Sequence, residues 1–282
     1  MTYLNAAVGT VVDTLLWPFE RLPALVGLAV VSLLTAAGML LVFKATSRQD
    51  RLGDVKRQIH AALFEMRLFA DDLPALFRAQ GEILRCNLRY LRLSLVPLLW
   101  MLVPLILLIA QLQMYYGYSG LEPGRPVIVK VRVGAGALTG EASGGTESKP
   151  PVSLHAPDGL RVETPALWIP SLREMNWRIA ADRIGDYELR VRVAQDEVTK
   201  AVRVSDAPGR RSPVRVARGF LEQLLYPAEP PLPDGLPIEA IEIGYPGRRI
   251  SLFGWGLHWL VVFFLLTMLC ALALRRRLGV IM

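Results

Sequence analysis

Apolar residues along this chain gather into three long runs, separated by stretches of quite different periodicity. The first run covers residues 24–43 and is broken only by Ser32, Thr35 and small residues. The second covers residues 93–109 and stays apolar to Met114 if Gln111 and Gln113 lie near an interface. The third covers residues 252–274, with His258, Thr267 and Cys270 as its polar breaks. A bilayer crossing takes about 20 mostly apolar residues, so each run predicts a transmembrane helix. Three such runs exceed what a soluble chain of 282 residues could bury.

Between the first two runs the period changes to that of a half-wetted helix. Leu52, Val55, Ile59, Leu63, Met66 and Phe69 (or Ala70) recur every three or four positions, an amphipathic stripe. Asp71-Asp72-Leu73-Pro74 then interrupts it, with Asp72 suited to cap a new helix and Pro74 to sit in its first turn. The stripe resumes at Leu73, Leu76, Phe77, Gln80, Ile83, Leu84, Leu88 and Leu91 and leads into the second span. Two arms of about 20 residues, each roughly 30 Å long, predict an antiparallel helical hairpin. A self-packed connector and a docking arm are both compatible with this pattern.

After the second span the period falls to two. Val127, Val129, Val131 and Val133 alternate with Ile128, Lys130 and Arg132; Tyr187, Leu189, Val191 and Val193 alternate with Glu188, Arg190 and Arg192. Residues 194–197 read as a turn and 198–204 as the returning strand. Further short strands are expected near 152–155, 160–163, 176–180, 213–217 and 238–243, separated by turns at Asp158-Gly159, Gly185-Asp186 and Asp234-Gly235. Strands of this length and spacing predict a β-sandwich. The phrase Ile184-Gly185-Asp186-Tyr187-Glu188-Leu189 resembles the hairpin openings of immunoglobulin-like and fibronectin-like domains. Residues 134–151 read as a flexible loop, and the proline-rich stretch 226–237 as a stiff strap leading back to the membrane.

The fold class expected is therefore a membrane protein of α + β type: three transmembrane helices, a cytoplasmic helical hairpin and an extracytoplasmic immunoglobulin-like β-sandwich. Its expected boundaries are an N-terminal interfacial helix at 1–23, spans at 24–44, 93–116 and 251–275, the hairpin at 45–92, the β domain at 117–250 and a tail at 276–282. The first segment is apolar with Trp17 near its end, which suits an interfacial helix; a frayed terminus is the alternative.

Charge orients this plan. Lys44, Arg48, Arg51, Lys56, Arg57, Arg67, Arg78, Arg85, Arg89 and Arg92 fall between the first two runs, and Arg275, Arg276 and Arg277 follow the third. The N-terminal segment has Arg21 against Asp13 and Glu20. Basic residues in short loops stay on the cytoplasmic side, so the hairpin and C-terminus are expected inside, with the N-terminus and β domain outside a plasma (inner) membrane. The net charge of +7 is then accounted for by Arg48, Arg92, Arg275, Arg276 and Arg277 and their neighbours meeting anionic lipid headgroups, with no specific nucleic-acid partner required. Two cysteines, Cys86 and Cys270, imply no disulfide framework.

No P-loop, Cys-x-x-Cys, His-Glu-x-x-His or dinucleotide fingerprint occurs. The three histidines, His60, His155 and His258, fall in three different compartments of this plan. Asp71-Asp72 suits capping better than acid–base work, and His258 suits an interfacial belt beside Trp255 and Trp259. The expectation is a non-enzymatic protein with no cofactor and no metal.

The order of elements (span, basic helical hairpin, proline-bearing span with Pro97 and Pro104, later span) resembles the core of the YidC/Oxa/Get family of membrane-protein insertases. The stretch from Gly254-Trp255-Gly256 through Arg275-Arg276-Arg277-Leu278-Gly279 is similar to the last core helix of archaeal insertase homologues and of the third subunit of the ER membrane protein complex. The resemblance covers roughly the first 120 and last 30 residues; the β domain between them is an addition to that plan, and the hairpin is not methionine-rich as it is in several relatives. It implies a polar groove that eases hydrophilic flanks of client proteins into the bilayer, with Thr35, Lys44, Thr267 and Cys270 as candidate lining residues. The partners implied are membrane-protein clients or other membrane subunits. A scaffold subunit whose outer domain binds a partner is the rival expectation, and a sensor relaying a signal through the hairpin is a third.

Overall fold

The computed structural model describes residues 2–20, 22–46, 49–68, 73–134, 150–193, 195–205, 207–252 and 254–279. The chain is α + β and divides into two compact units, Met1–Gly27 with Leu107–Leu260, and Leu28–Ile106 with Val261–Met282. Among the described residues three helical stretches are long and apolar enough to cross a membrane: Ala24–Thr46, Pro97–Tyr116 and Trp259–Arg277.

The helical unit is built from α2 (Ala24–Thr46), α3 (Gln49–Leu68), α4 (Leu73–Tyr116) and α6 (Trp259–Leu278). α3 and α4 form the hairpin that the stripes predict. The Cys86 thiol donates to Gln58 Oε1 at 3.7 Å, and Lys56 Nζ sits 5.9 Å from the centre of the Tyr90 ring. One helix ascends from 56 to 58 while its contacts descend from 90 to 86, so the arms are antiparallel. Val55, Ala62 and Cys86 are buried. The capping expected of Asp71 and Asp72, and Arg48, lie outside the described residues.

α4 does not separate into an arm and a span. It is a single helix of 44 residues with Pro97 and Pro104 inside it. Each proline removes one N–H and crowds the carbonyl four residues earlier, which bends a helix more often than it ends one when flanking turns are packed.

The β-rich unit begins with α1 (Thr2–Leu16) and a single 3-10 turn, Trp17–Phe19, with Pro18 in its opening position. Its strands are β1 (Pro126–Val133), β2 (Val152–His155), β3 (Leu160–Val162), β4 (Leu167–Ile169), β5 (Glu174–Ala181), β6 (Gly185–Val193), β7 (Asp196–Val204), β8 (Val214–Val216), β9 (Ile238–Ile243), β10 (Arg249–Leu252) and β11 (Trp255–His258). One sheet has the order β3-β5-β1-β9-β8, with β4 also on β5, a second has the order β2-β6-β7, and β10 and β11 form a separate two-stranded ribbon. All pairings are antiparallel, for example Val131↔Met175, Val131↔Ile241 and Val191↔Val198.

Alternation decides what is buried. Val129, Val131 and Val133 point inward with Trp177 and Ile179 from one sheet, while Leu189, Val191, Val202 and Val204 come from the other into the same core. The intervening Ile128 is 49% exposed, as its phase requires. Between β8 and the strap lies a short helix, α5 (Phe220–Leu225), which the sequence pattern did not suggest.

The third long helix departs from its expected start at 251. Residues 249–258 instead form the β10–β11 hairpin, pairing Ile250 with Leu257 and Ser251 with Gly256, and α6 begins at Trp259. Gly254 supplies the turn at φ +83°, where a side chain would be strained, and Gly256 weakens helix formation over the same residues.

Candidate functional site

In the helical unit three helices line a half-open cavity of about 220 Å³. α2 presents Ala36, Met39, Leu40 and Phe43, an i, i+3, i+4, i+7 face; α4 adds Met101 and Leu105; α6 adds Phe263, Phe264, Thr267, Met268 and Ala271. Each helix thus contributes one methionine. Unbranched, polarizable thioethers adapt to apolar surfaces of varied shape better than branched side chains do.

One polar atom interrupts this wall. Thr267 Oγ1 is buried and has no hydrogen-bond partner. A threonine in a helix ordinarily donates to the carbonyl four residues earlier, as Thr35 does to the Val31 carbonyl at 2.7 Å. For Thr267 that carbonyl is Phe263 O, which already accepts from Ser32 Oγ across from α2 at 3.5 Å. An unmatched buried hydroxyl costs about 1–3 kcal/mol.

Of the four residues expected to line a polar groove, Thr267 alone is in this wall. Thr35 is half-buried and turned to its own helix, Lys44 is exposed near the end of α2, and Cys270 is half-buried outside the lining. The wall is apolar apart from that one hydroxyl. Arg92, Arg276 and Arg277 are exposed and Arg275 is half-buried; the last three occupy the final turn of α6, where positive charge suits the helix dipole.

The β-rich unit holds a second concentration of polar groups. α1 lies against the final turns of α4: Gln111 Nε2 donates to the Asn5 carbonyl at 3.2 Å, and the Tyr115 hydroxyl donates to Asp13. Arg210 Nη1 donates to both oxygens of Asp13 at 3.1 Å, and its Nη2 donates to the Pro227 carbonyl at 2.7 Å. The backbone N–H of Arg211 donates to Met114 O at 2.9 Å, satisfying a carbonyl at the helix end. A cleft of about 310 Å³ opens between α1 and the strap, with Asn5, Thr10, Asp13, Arg210 and Glu229 on its walls. Trp259 is buried and donates from Nε1 to Gln113 Oε1 at 2.8 Å, while Trp255 and His258 are exposed.

Beside this cleft, Lys200 is completely enclosed. Its ammonium donates to Ser212 O at 2.6 Å, to Ser212 Oγ at 2.8 Å and to Glu229 Oε2 at 2.5 Å. Glu229 also accepts from the Ser212 hydroxyl and, through Oε1, from the Ala201 N–H at 2.8 Å. Burial pushes the Lys200 pKa down to about 8, against the opposing pull of the Glu229 charge. A lysine acting as base toward Ser212 would have to accept the serine proton. Here the ammonium donates to Ser212 Oγ and the hydroxyl proton goes to Glu229, so the triad works as a tie between β7, the segment before β8 and the proline-rich strap.

Lys200 was not singled out from the sequence, although a signal for it exists. In Val198-Thr199-Lys200-Ala201-Val202-Arg203-Val204 it occupies the same phase as three inward valines. A lysine in the inward phase of a strand needs a buried acid, and the strap supplies one. Compared with family models, with curated proteins and with solved structures, the chain matches none.

Proposed function

We propose that this chain is a multi-pass membrane protein that receives an apolar transmembrane segment of another protein in the methionine-lined cavity, as an insertase-like assembly factor. The β-rich unit is then an immunoglobulin-like sandwich outside a plasma (inner) membrane, with the hairpin and C-terminus inside. The observation that carries the reading is the cavity wall: Met39, Met101 and Met268 from three separate helices line it together with Thr267, whose buried hydroxyl has no partner. The methionines tolerate segments of different shape. Thr267 offers a hydrogen bond to a backbone carbonyl or polar side chain of the segment, lowering the cost of that group inside the bilayer.

A scaffold subunit is the second reading, favoured by a different observation. Only 17% of the Trp259–Arg277 window is buried, leaving most of α6 to lipid or to a fixed partner helix.

Photocrosslinking in native membranes separates the two, with probes at Thr267 and Met268 and a control at Leu33 on the exposed side of α2. Adducts from the two cavity positions to many newly made membrane proteins support the insertase reading. Adducts to one fixed protein support the scaffold, and adducts to lipid alone overturn the client-binding reading.

A further inference from the structure

The face of α4 turned away from α3 carries a regular seam. Leu84, Leu88, Leu91, Leu95, Leu98 and Leu102 follow one another at alternating steps of four and three, the a/d repeat of a coiled coil. Phe77 occupies the same repeat one heptad earlier. All seven side chains are exposed, and Phe77, Leu84, Leu88 and Leu91 are each more than 60% exposed. They lie in the charged part of the helix beside Glu82, Arg85, Arg89 and Arg92. Cys86, which packs on Gln58 of α3, stands at position f, opposite the a/d face. The hairpin's own packing therefore leaves the seam uncovered, although the stripes in both arms are strong enough to have served each other.

We infer that this seam pairs with the α4 seam of a second copy of the chain, as a parallel two-helix coiled coil running from the hairpin into the membrane span. A heptad with leucine at every a and d position between 84 and 102 fits another helix, because knobs at this spacing fill the holes of a facing helix. The flanking residues fit a like copy. In a parallel pair the g positions face e positions of the partner: Gln80 meets the partner's Arg85 and Asn87 meets the partner's Arg92. Each guanidinium then faces an amide oxygen, with no like charges opposed. Two copies inserted in one membrane share one direction, which gives the parallel alignment directly; this step rests on the membrane reading proposed above. The six leucines span about 27 Å of helix at 1.5 Å per residue. Arg89, at position b, points away from the seam.

The test uses the full chain in membrane vesicles, with Cys86→Ser and Cys270→Ser removing the native thiols. Leu84→Cys and Leu91→Cys, both at d, are expected to form a disulfide-linked species at twice 31.3 kDa on mild oxidation, several-fold more than Arg89→Cys. Adding Leu88→Glu to Leu91→Cys should reduce that species to the Arg89→Cys level. Equal yields at all three positions would overturn the inference, as would adducts of a different mass or a yield indifferent to Leu88→Glu. Because these residues are not in the cavity wall, client adducts at Thr267 can fail while the seam stands, and the reverse.

Discussion

Removing the Glu229 carboxylate is the sharpest test of what holds the β-rich unit together. In Glu229→Ala the Lys200 ammonium keeps two bonds to Ser212, at 2.6 and 2.8 Å, but loses its charge partner while still fully enclosed. Breaking one side of a buried pair costs about 3–5 kcal/mol. That is a large share of the roughly 5–15 kcal/mol that a domain has in total. The double variant Lys200→Met/Glu229→Ala removes both charges and should recover most of the loss, because apolar replacement of a buried pair is often neutral. The assay is urea unfolding of the full chain in detergent, followed by tryptophan fluorescence, to which the core residue Trp177 contributes. A double variant as unstable as the sum of the two single variants, with coupling below about 0.5 kcal/mol, would refute the tie.

Three further outcomes follow from the same structure. Since Lys200 titrates near pH 8 in the fold, against an ordinary 10.5, the unfolded chain binds more protons between those values; stability should rise with pH across that window, and the charged-lysine penalty should be complete below about pH 8. Midpoints at pH 8 and pH 10 check this against Lys200→Met, and parallel shifts in the two proteins would contradict it. In Gly27→Ala the new Cβ would lie 2.5 Å from the hydroxyl of Tyr116, which is 3% exposed and has little room to move; a loss of about 1–3 kcal/mol is expected, read as a lower melting temperature. Asp13→Ala leaves Arg210 and the Tyr115 hydroxyl without their shared acceptor, so thermal unfolding should show a destabilisation of about 1–3 kcal/mol.

What was legible in the sequence was whatever repeats. Runs of apolar residues marked the three long helices; the period-two stretches placed β1 and β6 with its returning strand β7, and short stretches between turn signals placed β2, β3, β5, β8 and β9, all within a residue or two of their bounds. β4 and α5 escaped: β4 is Leu-Trp-Ile and α5 a single turn and a half, too short to show a period, and no turn signal frames them as turns frame the equally short β3 and β8. The β10–β11 hairpin was hidden by its own apolarity, since Leu252, Trp255 and Leu257 read as a continuation of the span that follows them. Thr267 was visible as a polar break in a helix, but its lack of a partner depends on Ser32 of another helix occupying the carbonyl it would have used. Lys200 was legible by phase, whereas its acid, Glu229, lies in a strap with no periodicity at all.

The place of β9 in its sheet governs when the domain can close. β1 pairs on one side with β5 and on the other with β9, through contacts such as Val129↔Ile243, and β8 reaches the sheet only through β9. During synthesis, β1, β5 and β8 therefore exist before the strand that joins them, and one edge of β1 stays open, the kind of edge that recruits other chains. Long-range pairing of this type is slow. Sheet closure waits for a strand separated from α6 only by the β10–β11 hairpin, so the β-rich unit completes its fold shortly before the last helix emerges. A chain truncated just after the strap would carry nearly every strand of the domain and still be unable to shut it.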